Sequence, residues 1–487
     1  MSTYERLTRL QPFDHLLNQS KLNPDNIAID GPMGPITYRK LYERAKKYSS
    51  FLSARGIKQG DLVALRVLNA DTVPVLFACW SLGATTAIFP WPLDDENREN
   101  FDWLISLENE TDFPVTHFIH LSGEARDAVS RESIISEPVE FAPGQPIHAI
   151  FSSGTTGKPK GVPFELELLE ARAWNARRIW MPELPFFSLI GMTSASGFFA
   201  MYSAISNGDA YLYPTTGEHN VKVALKHGVG TIKGSPPQLM SLALYSRESK
   251  IDLPALRYVE SAGGYLAPKI AETIRAVFPN TEVRNLYGST EGGTIIASPI
   301  PADVSSATFW PLLPNALVEI VDDEDRPLSI GESGRVRIRN LPMANRYLNN
   351  REATEQAFGD DWFYPGDIGA LSTDGALQLQ GRASEVINMS GVKLDPAEID
   401  LWLLEQEGVI DAAAFGYKLP SGAVALGLAL VLVPNFDRKG FIQKFQARFY
   451  GIMPNAVLGS KQIPRNELGK VLRRQLAADV EQKLGKQ

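Results

Sequence analysis

A chain of 487 residues is too long for one ordinary hydrophobic core, so we expect two or three domains. The net charge of -8 argues against nucleic acid as a partner, and 44% hydrophobic and 21% charged residues are typical of a soluble globular protein. The single cysteine, Cys79, excludes an internal disulfide framework and a cysteine-rich metal site, and we expect it to be a small buried hydrophobe in a reducing compartment.

Two segments bear on secretion and membranes. Residues 1–9 mix charges and contain no apolar run, so we expect no secretory signal. Residues 184–208 carry no charge, but serine, threonine and glycine dilute them. A buried helix that lines a pocket is therefore favoured over a membrane span, and we expect a cytoplasmic protein with no membrane span.

Helix-like and strand-like segments alternate in the first half of the chain. The pattern predicts helices over 38–52 and 72–82, and strands over 62–68 and 85–90. Further strand-like runs are 147–151, 210–213, 230–233, 258–261 and 283–286. Strands that alternate with helices indicate an α/β fold with a largely parallel sheet covered on both faces.

A polar loop follows the strand predicted at 147–151. Residues 152–161 contain three glycines, four hydroxyl side chains and two lysines. Such a loop can offer hydroxyls, unhindered backbone N–H groups and positive charge to one anionic ligand. It is not a Walker A loop, since Gly157 comes too early and Pro159 follows Lys158. A flexible surface loop is the alternative reading.

Two further loops follow predicted strands. Gly263, Gly264 and Tyr265 stand at a strand's carboxyl end, where open α/β sheets bind ligands, although a tight turn is the commoner reason for such a pair of glycines. In the second loop, a base could stack on Tyr287 while Glu291 binds Mg²⁺. A capping turn that leaves Glu291 in solvent explains that loop equally well.

A hairpin is predicted around Asp374-Gly375, which is a two-residue turn signal. In the resulting register Asp367 lies directly opposite Arg382. The two side chains could bind a ribose diol together, but geometry alone favours a cross-strand ion pair of little energetic value.

The last hundred residues suggest a small separate unit. Strands are predicted over 412–417 and 424–433, and a helix begins at Asp395 and Pro396. In the final helix, an apolar stripe should pack on this small sheet; its members are Leu472, Leu476, Val480 and Leu484. Lys470 stands just before that helix, where a lysine is usually a solvated charge.

Five motifs in this order resemble the adenylate-forming (ANL) superfamily of acyl-CoA and aryl-CoA synthetases, adenylation domains and luciferases. They are Ser-Gly-Thr-Thr-Gly-Lys-Pro-Lys-Gly at 153–161, Tyr-Gly-Ser-Thr-Glu at 287–291, Gly-Asp at 366–367, Gly-Arg at 381–382 and Gly-Lys at 469–470. The resemblance implies a large N-terminal domain of α/β subdomains, with sheets covered by helices, over 1–383. It also implies a small α+β C-terminal lid over 384–487 and a hinge at Ser384.

The reaction implied is carboxylate plus ATP to acyl-adenylate plus pyrophosphate, followed by transfer to a thiol. By resemblance, ATP is bound by Ser152, Ser153, Gly154, Thr155, Thr156, Gly157, Lys160, Gly263, Gly264, Tyr265, Tyr287, Gly288, Ser289, Asp367 and Arg382. Lys470, Thr290 and Glu291 are the implied catalytic residues, and Glu291 also binds Mg²⁺. The implied acid pocket contains Ser188, Gly191, Gly263 and Gly292, and Gly391 lines the thiol channel.

Departures from the family pattern concern the acid and the hinge. Ser384 and Glu385 replace the residues that are usual at the hinge, and Ser188 stands where the family often has His. The Phe-Asp pattern of amino-acid-activating domains is absent, so we expect an aryl or apolar (fatty) acid. The aromatic residues that suggest this are Phe186, Phe187, Phe198, Phe199 and Tyr202.

The acceptor thiol is most readily coenzyme A, but the phosphopantetheine arm of an acyl carrier protein presents the same chain, and the motifs do not separate them. A luciferase-like oxidation of the adenylate also remains open. A catalytically silent nucleotide-binding regulatory protein is a further alternative, against which Lys470 and Glu291 argue, because nucleotide binding alone would not require both.

Overall fold

The computed structural model describes residues 10–484 with gaps. The residues left out within that range are Met33, Leu68, Ala70, 89–100, 110–114, 133–136, 153–159, Tyr265, Ala267, 306–307, 390–391, Pro420, Asn435, 450–451 and 466–470.

The first part of the chain builds a sheet whose neighbouring strands are mostly parallel. Its elements are α1 (Pro12–Leu22), β1 (Ile27–Asp30), β2 (Ile36–Thr37), α2 (Tyr38–Ser53), β3 (Leu62–Arg66), α3 (Thr72–Ser81), β4 (Thr85–Ile88), β5 (Trp103–Ser106), β6 (His117–His120), α4 (Gly123–Arg131), β7 (His148–Ser152) and β8 (Lys160–Phe164). The strand order is β6-β5-β3-β4-β7-β8, with only β8 antiparallel to its neighbour. The predicted helices, strands and parallel sheet are confirmed within the described residues, although the strand predicted over 62–68 ends at Arg66; Leu68 and residues 89–90 lie outside the described residues. Cys79 is buried within α3.

Helix α2 shows why these elements form where they do. Thr37 precedes it, and its hydroxyl accepts a hydrogen bond from the backbone N–H of Lys40 at 3.4 Å. One face is buried through residues three and four apart, which are Tyr38, Leu41, Ala45, Tyr48 and Leu52.

A second sheet follows, and it carries the cavity described below. Its region comprises α5 (Leu166–Trp180), β9 (Phe186–Ser188), α6 (Ala195–Asn207), β10 (Tyr211–Leu212), α7 (Gly217–His227), β11 (Thr231–Gly234), α8 (Pro236–Ser249), β12 (Tyr258–Ala262), α9 (Pro268–Val277), β13 (Glu282–Ser289) and β14 (Gly293–Pro299). The strand order is β14-β13-β12-β11-β9, parallel except for β14, while β10 pairs with β1 in a separate small sheet.

The single buried helix predicted over 184–208 is wrong in its first part. Residues 186–188 form β9, and α6 begins only after Ser194, whose hydroxyl accepts from the N–H of Gly197. An apolar run of this length does not distinguish strand from helix, and Pro185 and Gly191 both interrupt a helix. Across the described parts of the chain, no helix combines the length and apolar character that crossing a membrane requires.

A third sheet contains the predicted hairpin. It is built from β15 (Ala316–Val321), β16 (Gly334–Asn340), β17 (Phe358–Gly359), β18 (Trp362–Phe363), β19 (Asp367–Leu371) and β20 (Leu377–Arg382), with α10 (Arg351–Ala357) between β16 and β17. Asp367 pairs with Arg382, as predicted. The predicted two-residue turn is wrong, because Leu371 pairs with Leu377 and residues 373–375 form a three-residue loop. The pairing shifts by one residue between Ile368 and Gly369, and this shift brings Asp367 back opposite Arg382.

The C-terminal part is a small α+β unit with hydrophobic clusters of its own. It comprises β21 (Ile387–Met389), β22 (Val392–Leu394), α11 (Pro396–Leu404), β23 (Val409–Lys418), β24 (Val424–Leu432), α12 (Arg438–Arg448), β25 (Ala456–Gly459) and α13 (Arg473–Leu484). Leu476 and Val480 of α13 are buried against the β23-β24-β25 sheet. Leu472 precedes α13 and is 39% exposed, so the predicted stripe is wrong at that residue.

Candidate active site

A cavity of about 440 Å³ lies at the carboxyl ends of β11, β12 and β13. Helices α5 and α6 form its opposite wall, and Lys160 and Arg382 reach it from β8 and β20. Parallel α/β sheets bind ligands at this edge, because the loops that leave the strands converge there. The predicted residues Gly263, Tyr287, Gly288, Ser289, Thr290 and Glu291 all line it.

Asp367 is bound from two sides at the edge of this cavity. Arg382 Nε lies 3.0 Å from its Oδ1, and the Tyr287 hydroxyl donates to its Oδ2. The predicted cross-strand ion pair is therefore present, but Asp367 is only 6% exposed, so the small energy of a fully exposed pair does not apply to it. Burial, together with the Asp367 charge, raises the pKa of Tyr287 well above its ordinary value, so this hydroxyl remains a donor.

Glu291 is also fixed in place. Its side chain accepts a 2.8 Å hydrogen bond from the Tyr347 hydroxyl at Oε1, and its carbonyl accepts from Arg172 Nη2 at 2.7 Å. The residue is 7% exposed, which overturns the alternative of a capping turn with Glu291 in solvent.

The surroundings of Glu291 fit a magnesium ion held by one carboxylate and a nucleotide. No described residue donates to Oε2, and the described chain holds no group of three or more His, Cys, Asp or Glu side chains placed for a metal. Mg²⁺ commonly binds through one or two carboxylates, substrate phosphates and water, so a single carboxylate is sufficient here.

Arg172 is a buried cation that sequence reasoning missed. Gly293 has a φ of +72°, and a Cβ at that position would lie 1.2 Å from Arg172 Nη1. The guanidinium therefore needs a glycine at 293 to reach the Glu291 carbonyl. Burial lowers the pKa of Arg172 to about 10, which leaves it charged at neutral pH.

The phosphate side of the site is described only in part. Ser152 pairs with Lys160 in the β7-β8 ladder, and Lys160 Nζ lies 5.2 Å from the centre of the Tyr347 ring. Gly264 is exposed beside Gly263. Several predicted site residues lie outside the described residues: Ser153, Gly154, Thr155, Thr156, Gly157, Tyr265, Gly391 and Lys470.

The four residues predicted for the acid pocket do not lie in one cavity. Of the four, Gly263 lines the main cavity, whereas Ser188 lines a smaller one of about 170 Å³ and accepts from the N–H of Ile190 at 3.2 Å. Gly191 is exposed, and Gly292 donates its N–H to Ser289 Oγ at 2.9 Å.

Among the aromatic residues expected to contact the acid, Phe199 lines the main cavity. Phe198 instead stacks on His148 with ring centres 4.1 Å apart. Tyr202 is buried and donates to Glu170, and Phe186 lines the smaller cavity while Phe187 is buried in the core.

A row of charged residues beneath the cavity was not foreseen. Lys233 on β11 pairs in register with Glu260 on β12, and Glu260 pairs with Arg284 on β13. Arg284 Nη1 lies 2.7 Å from Glu260 Oε1, and Lys233 Nζ lies 3.1 Å from the centre of the Trp180 ring. Burial lowers the pKa of Lys233 and raises that of Glu260, and the opposite charges of the row counteract both shifts. The signal in the sequence that could have indicated this row is Lys233 itself, a lysine within a strand that is predicted to be buried.

The predicted hinge lies in a turn after β20. Ser384 is exposed there, and the turn closes through bonds from the N–H groups of Glu385 and Val386 to the Arg382 carbonyl. Arg473 of α13 contacts Glu385 at 3.1 Å and Asp400 at 2.7 Å. The hinge and the domain boundary at 384 remain predictions.

Comparison with known proteins gives one consistent answer. A model of the family described as AMP-binding enzyme matches residues 16–101 and 102–348. The 4-coumarate--CoA ligase 1 of Arabidopsis thaliana is 26% identical over 92% of this chain and 89% of its own length. The oxalate--CoA ligase of the same plant is 26% identical over 95% of this chain and 97% of its own length. The crystal structure of ATP-bound MatB from Rhodopseudomonas palustris matches with a TM-score of 0.84, at 19% identity, over 97% of this chain and 99% of that one.

Proposed function

The chain belongs to the AMP-binding enzyme family, and we propose that it activates a carboxylic acid with ATP and transfers the acyl group to coenzyme A. The first step forms an acyl-adenylate and releases pyrophosphate; in the second, the thiol displaces AMP and forms a thioester. The observation that carries the proposal is one cavity lined by Lys160, Tyr287, Glu291 and Arg382, with the Asp367 carboxylate held at its edge.

The nucleotide is oriented by the groups around Asp367. Each carboxylate oxygen can accept more than one hydrogen bond, so Asp367 can accept from the ribose hydroxyls while Arg382 and Tyr287 hold it. The Tyr287 ring lines the cavity and offers a face on which the base can stack.

The transfer step requires neutralisation of the charge that develops on the attacked phosphate. Lys160 lines the cavity and Arg172 is a second cation in its wall. A magnesium ion on Glu291 would supply further neutralisation of the phosphates. Such preorganised charge stabilises the transition state more than the ground state, which is what accelerates the reaction.

The acid lies between α5, α6 and the second sheet. Ala176, Ile179, Trp180, Phe199 and Leu286 give this part of the cavity apolar walls that suit an aryl acid. The relatives named above act, by their names, on acids as different as 4-coumarate and oxalate, so family membership does not choose the acid.

The test is ATP–pyrophosphate exchange over a panel of aryl, fatty and dicarboxylic acids, with and without Mg²⁺. We expect acid-dependent and Mg²⁺-dependent exchange. Coenzyme A and a phosphopantetheine-bearing carrier protein are then offered as acceptors, and coenzyme A should be the better one. Exchange with no acid of the panel would contradict the proposal. Transfer to the carrier protein but not to coenzyme A would show that the acceptor is the carrier protein.

A further inference from the structure

The floor of the cavity has an ordered charge pattern. Because alternate residues of a strand point to the same face, Lys233, Glu260 and Arg284 share the sheet face with Ala262 and Leu286. Ala262 and Leu286 line the cavity near the carboxyl ends of their strands. Along the strands, the charged row lies two residues, or roughly 6.6 Å, before the row of Ala262 and Leu286, and therefore farther from the carboxyl ends.

Only Lys233 of the three charged residues lines the cavity. Glu260 is fully buried behind it and already forms an ion pair with Arg284 at 2.7 Å. No carboxylate among the described residues comes within ion-pair distance, 4.0 Å, of Lys233 Nζ, whose close neighbour is the Trp180 ring at 3.1 Å. The row therefore holds two cations and one anion, and the cation left over faces the cavity.

A buried lysine with no carboxylate at ion-pair distance is costly, because its charge loses hydration, and the more distant charge of Glu260 offsets only part of that loss. The contact of Lys233 with the Trp180 ring compensates only in part. An anionic group on the ligand would supply the missing partner and would favour the protonated amine. The same group would be excluded from an apolar pocket that lacks such a cation.

We propose that Lys233 selects an acid that carries a second carboxylate at its far end. The reacting carboxylate lies at the nucleotide end of the cavity, near Thr290 and Glu291, and the second carboxylate pairs with the Lys233 ammonium at the floor. The ring or chain between the two carboxylates lies between Trp180 and the wall formed by Ala262 and Leu286. This inference rests on the proposed function and narrows its substrate class to dicarboxylic acids.

The experiment compares matched acids in pyrophosphate exchange. Each pair consists of a dicarboxylic acid and its monoamide, for example terephthalic acid and 4-carbamoylbenzoic acid, and succinic acid and succinamic acid. The two members have nearly the same shape and differ in the distal charge. The parent protein should prefer the dicarboxylic member of the best pair, measured as the ratio of the two kcat/KM values.

Lys233→Met keeps the length of the side chain and removes its charge. We expect it to lower that ratio about 30-fold or more, as truncation of one partner of a buried charge pair does. Lys233→Arg should retain most of the preference. The control is Lys222→Met, which removes an exposed surface charge on α7 and should leave the ratio at the parent value.

Two results would overturn the inference: a parent ratio near one or below, or a ratio that Lys233→Met leaves unchanged. The parent ratio needs no variant, so it decides the matter even if Lys233→Met fails to fold. Exchange that favours monocarboxylic acids would overturn this inference and leave the proposed function intact. Exchange with no acid would contradict the proposed function itself.

Discussion

Arg382 Nε lies 3.0 Å from Oδ1 of Asp367 and forms an ion pair with it across the hairpin of β19 and β20. The carboxylate is 6% exposed and its other oxygen accepts from Tyr287, so two side chains hold this acceptor at the edge of the cavity. A carboxylate held in this way is preorganised for the two hydroxyls of a ribose.

Asp367→Asn should weaken ATP binding. The amide can still accept from Tyr287, but it loses the negative charge and one acceptor, so we expect the KM for ATP to rise about 10-fold or more. The matched control is Asp361→Asn, which removes an exposed carboxylate paired with Arg339 at 2.6 Å. Its KM for ATP should not change. An unaltered KM in folded Asp367→Asn would show that the hairpin pair is only structural.

Gly293→Ala should displace Arg172. The added Cβ would meet Nη1 at 1.2 Å, so the guanidinium must leave the Glu291 carbonyl and exchange should fall. Gly375→Ala is the control, because Gly375 also has a positive φ, +79°, but lies in open space. The control should lose about 1–2 kcal/mol of unfolding free energy from backbone strain and keep its exchange rate. Equal effects of the two substitutions on stability and exchange would contradict the role given to this contact.

Acid should destabilise the protein through His148. Its ring is buried against Phe198, with Nδ1 2.8 Å from Thr86 Oγ1, and burial lowers its pKa from the ordinary 6.5 to about 3. Between these values the unfolded chain binds a proton that the folded chain does not. The stabilisation is therefore complete above pH 6.5 and is lost as the pH falls toward 3, at up to about 1.4 kcal/mol per pH unit.

Thermal unfolding at pH 6.5 and pH 5.0 measures this effect. The fall in Tm between the two pH values should be smaller in His148→Gln than in the parent. The control is His117→Gln, at an exposed histidine, which should keep the parent's fall. The same fall in His148→Gln and the parent would contradict the prediction.

Lys470→Ala should separate the two half-reactions. By resemblance Lys470 contacts the reacting carboxylate and the α-phosphate during adenylation, so its loss should slow pyrophosphate exchange on the order of 10²–10³-fold. Given a presynthesised acyl-adenylate and coenzyme A, the variant should form thioester at close to the parent rate. The control is Lys461→Ala, at an exposed lysine of the same domain. Equal losses in both half-reactions would mean that Lys470 supports the fold of the C-terminal unit.

The hairpin shows how far the sequence determines the site. The pairing of Asp367 with Arg382 was predictable because a turn signal lies midway between them, although the loop has three residues and a shift in register compensates. Loop length and a bulge each change the register by one residue, and neither has a clear signal in one sequence.

The charged row under the cavity illustrates what the sequence leaves open. Lys233, Glu260 and Arg284 are 24 or more residues apart along the chain, and only the register of three parallel strands brings them together. Likewise, nothing in the order of residues places Arg172 against Gly293 or Tyr347 against Glu291. Motifs predict the residues that bind the common nucleotide, whereas the residues that surround the acid depend on tertiary packing.

The central claim is that the protein joins an acid to AMP, and a rapid-quench experiment with ATP labelled in the α-phosphate tests it most directly. With Mg²⁺ and an acid but no thiol, an acid-dependent acyl-adenylate should appear, and added coenzyme A should convert it to thioester and one equivalent of AMP. Release of ADP instead of AMP, or label that never becomes attached to the acid, would contradict the account.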